Sequence, residues 1–120
     1  MSQRGSIWRG EECVWAQASL ASDPLSRSVG LLGKKSLHAD QALWLLPCRA
    51  VHMFGMRFAL DLLWLDRAGQ VLAVRSNVRP WQLAWPRLRG VHSTIEVAVG
   101  EIASRDIALG QKLHWREMDV

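Results

Sequence analysis

The chain lacks the features that mark several common classes of protein. Its 120 residues contain no tyrosine and only two cysteines, and no apolar run approaches the roughly 18 residues that a membrane-spanning helix needs. The N-terminal segment has no apolar stretch long enough for a secretory signal peptide. These absences argue against a membrane-spanning helix and predict a cytoplasmic protein.

The scarcity of cysteine also limits the kinds of site that the chain can build. Cys13 and Cys48 lie 35 positions apart and form no CxxC pair, so neither a zinc knuckle nor a thioredoxin-type redox motif is indicated. In a cytoplasmic protein we expect both thiols to be reduced and largely buried. No cofactor is predicted from the sequence.

The charge of the chain is moderately basic, with 15 Lys and Arg residues against 11 acidic residues, a formal net charge of +4. The basic residues are scattered along the chain and do not form one run, and no RRM, KH or OB signature accompanies them. The sequence therefore does not favour a nucleic-acid partner. The aromatic residues are seven Trp and two Phe, an unusual choice of large side chains.

Most apolar segments of the chain have the two-residue alternation of β-strands. Strands are predicted at residues 12–20, 42–47, 58–66, 70–78, 93–100 and 111–115. The sequence DRAG at residues 66–69 suits a type I turn. Residues 79–90 contain two prolines and no period, which predicts a long loop, and residues 101–110 are expected to hold a helical turn.

One helix has a clear start signal after the first predicted strand. Ser22 or Asp23 is its predicted N-cap, Pro24 takes the first helical position, and Gly30 and Gly33 end it. No GxGxxG or Walker pattern surrounds these glycines, so positive φ is expected of them and phosphate binding is not. The chain has no repeat and no regular βαβ order. We therefore predict a mainly β protein: one domain over residues 1–120, an antiparallel β-sandwich or barrel with one or two short helices.

The central part of the chain resembles a known family. The block PCRAVHMFGMRFALDLLWLDRAGQVLAV, followed by VRPW, is similar to one branch of the family called domain of unknown function 192. SRSVGLLG, IEVAVG and ALGQKL resemble further elements of that family, and together the likeness covers about residues 14–115. It implies a small β-rich sandwich or barrel and no established activity.

The sequence departs from the family pattern at Met53, Ala59 and Gln111, where Thr, Pro and Asp are usual. A second branch of the family resembles W-M-K-N-T-x-I-P-L-D across the same block. By this comparison the position of Asp61 is shared between the branches, whereas those of His52 and Met56 are not.

Asp61 is a carboxylate in the middle of an apolar strand. An ionised carboxylate without partners would be very costly there, so it must be protonated, hydrogen-bonded or paired with a cation. One hypothesis is that amides of the preceding loop, residues 51–57, bind Asp61 and so fasten that loop to the sheet; Arg57, Arg75 and Arg79 are candidate cations. The alternative makes Asp61 the floor of a pocket, as a general acid or base or as an acceptor for a ligand.

Cys48, His52 and Met56 recur at a spacing of four residues. A thiolate, an imidazole and a thioether would suit a soft ion such as Cu(I), but Pro47 and Gly55 favour a loop, in which this spacing does not align the three side chains. Core or loop packing is the preferred interpretation. His52 beside Asp61 could also form a pair for proton transfer, although Ser93, Thr94 and Cys48 are candidate nucleophiles only by default.

Trp81 and Trp85 lie in the predicted loop, with Arg79 and two further arginines around them. One interpretation folds both indoles back as a lid over an open end of the sandwich. In the other, aromatic faces beside guanidinium groups bind a nucleic acid, a sugar or a proline-containing peptide. Glu96 lies on the polar side of its strand, where it is either solvated or points into the same groove as Asp61 and His92.

The sequence favours a non-enzymatic accessory module whose groove, near Asp61 and the loop that carries Trp81 and Trp85, accepts a small ligand or a segment of a partner protein. The candidate ligand-binding residues are His52, Met56, Asp61, Arg79, Trp81, Trp85 and Glu96. The alternative is a small hydrolase or proton-transfer enzyme that uses His52 with Asp61. A third hypothesis is that the Trp81 loop docks the domain onto another protein, such as an envelope or pilus-assembly component.

Overall fold

The structure is a computed structural model that describes residues 3–22, 31 and 33–118. In these ranges nine strands and one four-residue helix are found. The strands are β1 (Gln3–Arg9), β2 (Glu12–Ala21), β3 (Gln41–Leu45), β4 (Val51–His52), β5 (Leu60–Leu65), β6 (Val71–Val78), β7 (Leu83–Ala84), β8 (Ser93–Ala98) and β9 (His114–Glu117); the helix is α1 (Glu101–Ser104).

Seven of the strands form one sheet in the order β6-β5-β8-β3-β2-β1-β9, and β4 pairs with β7 in a second, small sheet. Within the large sheet β2 and β3 are parallel, and the other pairings are antiparallel. The mainly β class is confirmed, but the sheet is mixed and not purely antiparallel. A chain passing from β2 to a parallel β3 cannot return by a tight hairpin, which is why a long connection, residues 22–40, separates them.

The two ends of the large sheet approach each other without pairing along a strand. An isolated bridge joins Gln70 to Lys112, and the N–H of Leu113 donates to the carbonyl of Gly69 at 2.9 Å. The edge strands β6 and β9 are not neighbours in the sheet. The predicted barrel is therefore not closed.

Strand alternation sends apolar side chains to both faces of the sheet, where they form two clusters. In β5, Leu63 and Leu65 belong to a first cluster, which also contains Ile7, Trp15 and Ile102. Leu60, Leu62 and Trp64 of the same strand belong to a second cluster. A strand that is buried on both faces reads as a continuous apolar run, and all six residues of β5 are buried.

The second cluster is covered by the small sheet β4-β7 and its flanking loops, residues 46–59 and 79–92, which we call the cover. Val51 and Ala84 are directly paired across the small sheet and are buried. Met53, Met56 and Val91 of the cover are buried in the same cluster. The cover is thus held to the large sheet by its inward apolar side chains.

Most predicted strands are confirmed with shifts of a few residues. The turn at residues 66–69 is confirmed, since the N–H of Gly69 donates to the carbonyl of Asp66 at 3.1 Å and Asp66 Oδ1 accepts from two further amides. The sequence did not predict β1 or the short strands β4 and β7, and β9 begins three residues later than expected. The predicted helix over residues 23–30 lies outside the described residues, whereas Gly33 has the expected positive φ of 84°.

Both cysteines are half-buried, whereas the sequence predicted that they would be largely buried. Among the described residues, no helix is long and apolar enough to cross a membrane.

Candidate functional site

The carboxylate of Asp61 is completely buried and accepts three backbone hydrogen bonds. The N–H of Asn77 donates to Oδ1 at 2.9 Å, and the N–H groups of Gly100 and Ile102 donate to Oδ2 at 3.0 and 3.2 Å. Asn77 lies in a bulge of β6, where its φ is 55°, and Gly100 and Ile102 lie at the start of α1. Asp61 therefore joins β5 to an irregular part of β6 and to the first turn of α1.

This geometry confirms that backbone amides bind Asp61 but corrects which ones do. The expected donors were amides of the loop 51–57, and the expected cations were arginines, whereas the observed donors come from β6 and α1. Asp61 alternates with Leu63 and Leu65, so its side chain lies on the face of the first cluster. The cover packs on the other face. The prediction of one groove containing Asp61 and the Trp81 loop is therefore wrong.

His52 is exposed on the outer side of the cover, where it begins a row of stacked aromatic rings. Its ring centroid lies 5.2 Å from that of Phe54, with an interplanar angle of 30°. The Phe54 centroid lies 6.0 Å from that of Trp81, at 27°. Both distances lie within the range of favourable offset stacking. Because Asp61 faces the opposite side of the sheet, the structure does not bring His52 and Asp61 together.

The loop that carries Trp81 is fastened to the β4 segment by its backbone. The N–H of Met53 donates to the carbonyl of Gln82 at 2.7 Å, and the N–H of Trp81 donates to the carbonyl of Met53 at 2.8 Å. The N–H of Gln82 donates to the carbonyl of Arg79 at 3.2 Å, which closes a turn with Pro80 in its second position and Trp81, at a φ of 71°, in its third. This is the pattern of a type II turn, which prefers Gly or Asn in the third position.

The side chains of this region point away from the protein. The exposed fractions are 48% for Phe54, 69% for Trp81, 49% for Leu83 and 46% for Trp85. We call the outward side chains of His52, Phe54, Trp81, Leu83 and Trp85 the aromatic surface. The prediction that Trp81 and Trp85 fold back as a lid is wrong, since a lid would bury them.

Arginine is the only charged residue type in the cover. Its five arginines are Arg49, Arg57, Arg79, Arg87 and Arg89, and all are exposed. The guanidinium of Arg87 lies 5.7 Å from the centroid of the Trp85 ring, which is a cation–π contact. Among the described residues none of the five forms an ion pair, whereas elsewhere Arg9 and Arg105 pair with carboxylates at 2.8 and 2.7 Å.

The three residues of the weak metal candidate do not converge. His52 points outward, Met56 is buried in the second cluster, and the thiol of Cys48 donates to the carbonyl of Ala50 at 3.3 Å. In the part of the chain that the structure describes, no group of three or more His, Cys, Asp and Glu residues could hold a metal ion.

Ser93 and Thr94 are buried and hold other parts of the protein together. The hydroxyl of Ser93 accepts from the indole N–H of Trp44 at 2.9 Å, and the hydroxyl of Thr94 donates to the carbonyl of Cys48 at 3.0 Å. Thr94 thereby ties β8 to the start of the cover. These hydrogen bonds give both hydroxyl groups a structural role.

Glu96 is only 7% exposed, so the expectation that it is solvated is wrong. The strand register places it directly between Leu43 of β3 and Leu62 of β5, both members of the second cluster. Among the described residues no group donates a hydrogen bond to its carboxyl. Burial raises the pKa of Glu96 to about 7. Glu96 and Asp61 lie on opposite faces, so they share no groove.

Comparison with known proteins places this architecture in a family. The family model for DUF192, described as "Uncharacterized ACR", matches residues 6–115. The chain belongs to the DUF192 family. The match starts eight residues before the likeness found in the sequence, and it includes most of β1, which sequence reasoning missed.

The chain is similar in sequence to UPF0127 proteins and in fold to a solved structure. It is 28% identical over 117 residues to UPF0127 protein TK1120 of Thermococcus kodakarensis, covering 93% of this chain and 69% of the relative. It is 26% identical to a UPF0127 protein of Thermococcus gammatolerans, with 93% and 71% covered. A crystal structure of a protein of unknown function from Novosphingobium aromaticivorans matches with a TM-score of 0.78 at 16% identity, covering 95% and 85% of the two chains. That likeness shows a shared fold.

Phe54 is the main residue of the aromatic surface that sequence reasoning missed. A signal for it exists, because Val51 and Met53 are buried while His52 and Phe54 are exposed, which is the alternation of an extended segment with one face covered. The segment V-H-M-F contains this pattern, but four residues before a glycine are too short to predict a strand. Only pairing with β7 makes the alternation regular.

Proposed function

We propose that this DUF192 protein is a non-enzymatic binding module, and that its binding surface is the aromatic surface of the cover. Large exposed apolar side chains that lie together are typical of interaction sites, whereas scattered ones are not. Four of the side chains here are 46–69% exposed and come from two segments that the small sheet holds together. Tryptophan and arginine are also the residue types that contribute most at binding interfaces.

The backbone of Trp81 is the observation that carries this proposal. A bulky residue at a φ of 71° costs on the order of 1–2 kcal/mol relative to glycine, and the indole regains little by burial because it is 69% exposed. The turn would form more readily with glycine or asparagine. A costly residue whose side chain points into solvent is best explained by what that side chain binds.

Of the ligand-binding residues predicted from the sequence, four are consistent with a binding site on the cover and three are not. His52, Arg79, Trp81 and Trp85 are exposed on the cover. Asp61, Met56 and Glu96 are buried, and they contribute to the interior. We assign this protein to the branch of the family with the C-x3-H-x3-M-x4-D block, in which the cover segment carries His52.

The alternative function, an enzyme that uses His52 with Asp61, has weaker support. Both carboxylate oxygens of Asp61 are engaged by backbone amides, and the ring of His52 stacks on Phe54. A general base must reach the group from which it takes a proton, and neither residue orients the other. The binding module accounts for more of the exposed residues.

A fragment screen by two-dimensional NMR tests the proposal without a known partner. We expect small aromatic fragments to shift the amide signals of His52, Phe54 and Leu83. They should also shift one indole N–H signal, which is assigned to Trp81 by its absence from the spectrum of Trp81→Asn. Because asparagine tolerates positive φ, this variant should fold with an unchanged or higher melting temperature while the fragment-induced shifts weaken. Val99→Ala, which trims another exposed apolar side chain, is the control.

Two results would contradict the binding surface. Fragment-induced shifts scattered over the protein, with none on the cover, would show that the aromatic surface has no special affinity. A Trp81→Asn variant that unfolds at a clearly lower temperature would show that the indole serves the fold.

A further inference from the structure

We infer that the aromatic surface docks this protein onto an anionic phospholipid membrane. This inference rests on the proposed function and names the partner of that same surface. It concerns peripheral contact at the level of the lipid headgroups.

The distribution of charge is the first step of the argument. The cover, residues 46–59 and 79–92, contains five arginines and no acidic residue, so the rest of the chain keeps ten basic residues (15 minus 5) and all 11 acidic ones. The positive charge of the protein is therefore concentrated on the cover. In the described part of the chain no carboxylate pairs with these arginines, which leaves them available for anionic groups of a partner.

The apolar part of the surface distinguishes a membrane from a nucleic acid. Bases stack on open ring faces, but the rings of His52, Phe54 and Trp81 already stack on one another, and Arg87 lies over Trp85. Leu83 and Leu88 are aliphatic and 49% and 54% exposed. Aliphatic side chains gain nothing from a phosphate and do not stack on single-stranded bases as aromatic rings do, whereas the boundary between headgroups and acyl chains accepts them.

The combination of residues matches what the membrane interface selects. Indole rings are enriched at the level of the headgroups because they have an apolar body and one polar N–H group. Guanidinium groups bind phosphate through two parallel hydrogen bonds, and anionic lipids attract basic residues near the surface. The cover presents Trp81 and Trp85 together with Arg79, Arg87 and Arg89 on one segment, residues 79–89.

An acidic peptide would satisfy the arginines as well, but it fits the apolar side chains less well. Peptide recognition relies on a groove or on a strand edge to which the peptide adds. Here the apolar side chains protrude from strands of only two residues and from their loops. A fluid layer adapts to protruding side chains without a matching shape.

Co-sedimentation of the full chain with lipid vesicles tests the inference. We expect binding to phosphatidylcholine vesicles that contain about 30% phosphatidylglycerol, little binding to pure phosphatidylcholine, and loss of binding as NaCl rises from about 0.05 to about 0.5 M. Arg79→Ala with Arg87→Ala should weaken binding by about 25-fold, at about fivefold for each arginine. Trp81→Asn should weaken it by at least about fivefold and reduce the blue shift of tryptophan fluorescence that lipid causes, with the remaining shift due to Trp85.

The matched control removes the same charge elsewhere. Arg4→Ala with Lys112→Ala changes two exposed basic residues outside the cover, and we expect it to change vesicle binding by less than about threefold. An equal effect of the two double variants would overturn the inference, because binding would then follow net charge alone. Vesicle binding that Trp81→Asn leaves unchanged would overturn it too.

The failure of this inference can be told from the failure of the proposed function. If fragments bind at the aromatic surface but the protein does not bind anionic vesicles, the proposed binding module stands and the membrane inference is overturned. Binding of a polyglutamate peptide or a single-stranded RNA through the same residues, without binding of vesicles, would also overturn the membrane as the partner. Fragments that do not map to the surface would overturn the module itself.

Discussion

At the scale of single residues, Glu96 is a carboxyl group in apolar surroundings. It lies between Leu43 and Leu62 on a face that the cover buries. Removal of the carboxylate from water raises its pKa from the ordinary 4.5 to about 7. A carboxyl group in such a place is held more easily in its neutral form.

This pKa predicts a stability that falls as pH rises. Between pH 4.5 and about 7, Glu96 is protonated in the folded protein and ionised in the unfolded chain. The contribution of Glu96 to stability is therefore complete below pH 4.5 and is lost as the pH rises through about 7. The free energy of unfolding should fall by at most about 1.4 kcal/mol per pH unit in this range. Glu96→Gln should flatten the fall and raise the melting temperature at about pH 8.

Thermal melts of wild type and variant between about pH 4 and about pH 8 measure this effect. Glu11→Gln is the control, because the Glu11 side chain is 98% exposed and its loss should change little. A melting temperature of Glu96→Gln that follows wild type at every pH would show that Glu96 stays ionised in the folded protein.

At the scale of secondary structure, Asp61 connects three elements of the fold. It lies in β5 and binds the bulge of β6 through Asn77 and the first turn of α1 through Gly100 and Ile102. The start of a helix and a bulge both leave N–H groups without strand or helix partners. One buried carboxylate supplies the acceptors for three such groups.

Asp61→Asn should therefore destabilise the fold. The amide side chain has one oxygen, and its NH2 group cannot accept, so at least one of the three N–H donors loses its acceptor and the charge is lost. We expect a loss of about 3 kcal/mol and a melting temperature lower by on the order of 10 °C, measured by circular dichroism at neutral pH.

Asp40→Asn serves as the comparison for Asp61→Asn. Asp40 pairs with Arg105 at 3.0 Å, but its side chain is 61% exposed, and exposed ion pairs contribute less than about 1 kcal/mol. If Asp61→Asn melted at the wild-type temperature, the fold would not need the charge, and Asp61 would become the first residue to test for a ligand.

At the scale of the whole molecule, Gly69 lies where the two ends of the large sheet meet. Its φ is 85°, and a Cβ atom added there would lie 2.3 Å from the carbonyl oxygen of Leu113. In addition, the carbonyl of Gly69 accepts a hydrogen bond from the N–H of Leu113 at 2.9 Å. Only glycine allows the β5-β6 turn and the segment before β9 to approach so closely.

Gly69→Ala should separate these two segments. We expect a loss of more than about 2 kcal/mol in the free energy of unfolding, with faster hydrogen exchange at the N–H groups of Val71 and Leu113. Gly10→Ala is matched in its positive φ of 59° but meets nothing within 4 Å, so it should cost only the backbone conformation. Equal losses in the two variants would show that the contact with Leu113 contributes nothing.

The strands and turns that are determined locally could be predicted from the sequence. β5 and β8 follow from apolar runs and alternation, and the turn at residues 66–69 follows from Asp and Gly at the positions that a type I turn requires. The residue type and apolar context of Asp61 also predict that its carboxylate must be protonated, hydrogen-bonded or paired with a cation, and bonding by backbone amides was one of these alternatives. The mainly β class follows from the six alternating segments and the absence of a regular βαβ order, and the family resemblance implies the same class.

The partners of these residues depend on the tertiary structure. Asp61 binds amides 39 and 41 positions away at Gly100 and Ile102, and the bulge that presents Asn77 breaks the regular register of β6. The aromatic surface combines residues 52–54 with residues 81–85, which the sequence separates by more than 25 positions. Local alternation and turn chemistry determine which segments become strands, but the strand order and register decide which side chains share a face, and these arise only when distant segments pack together.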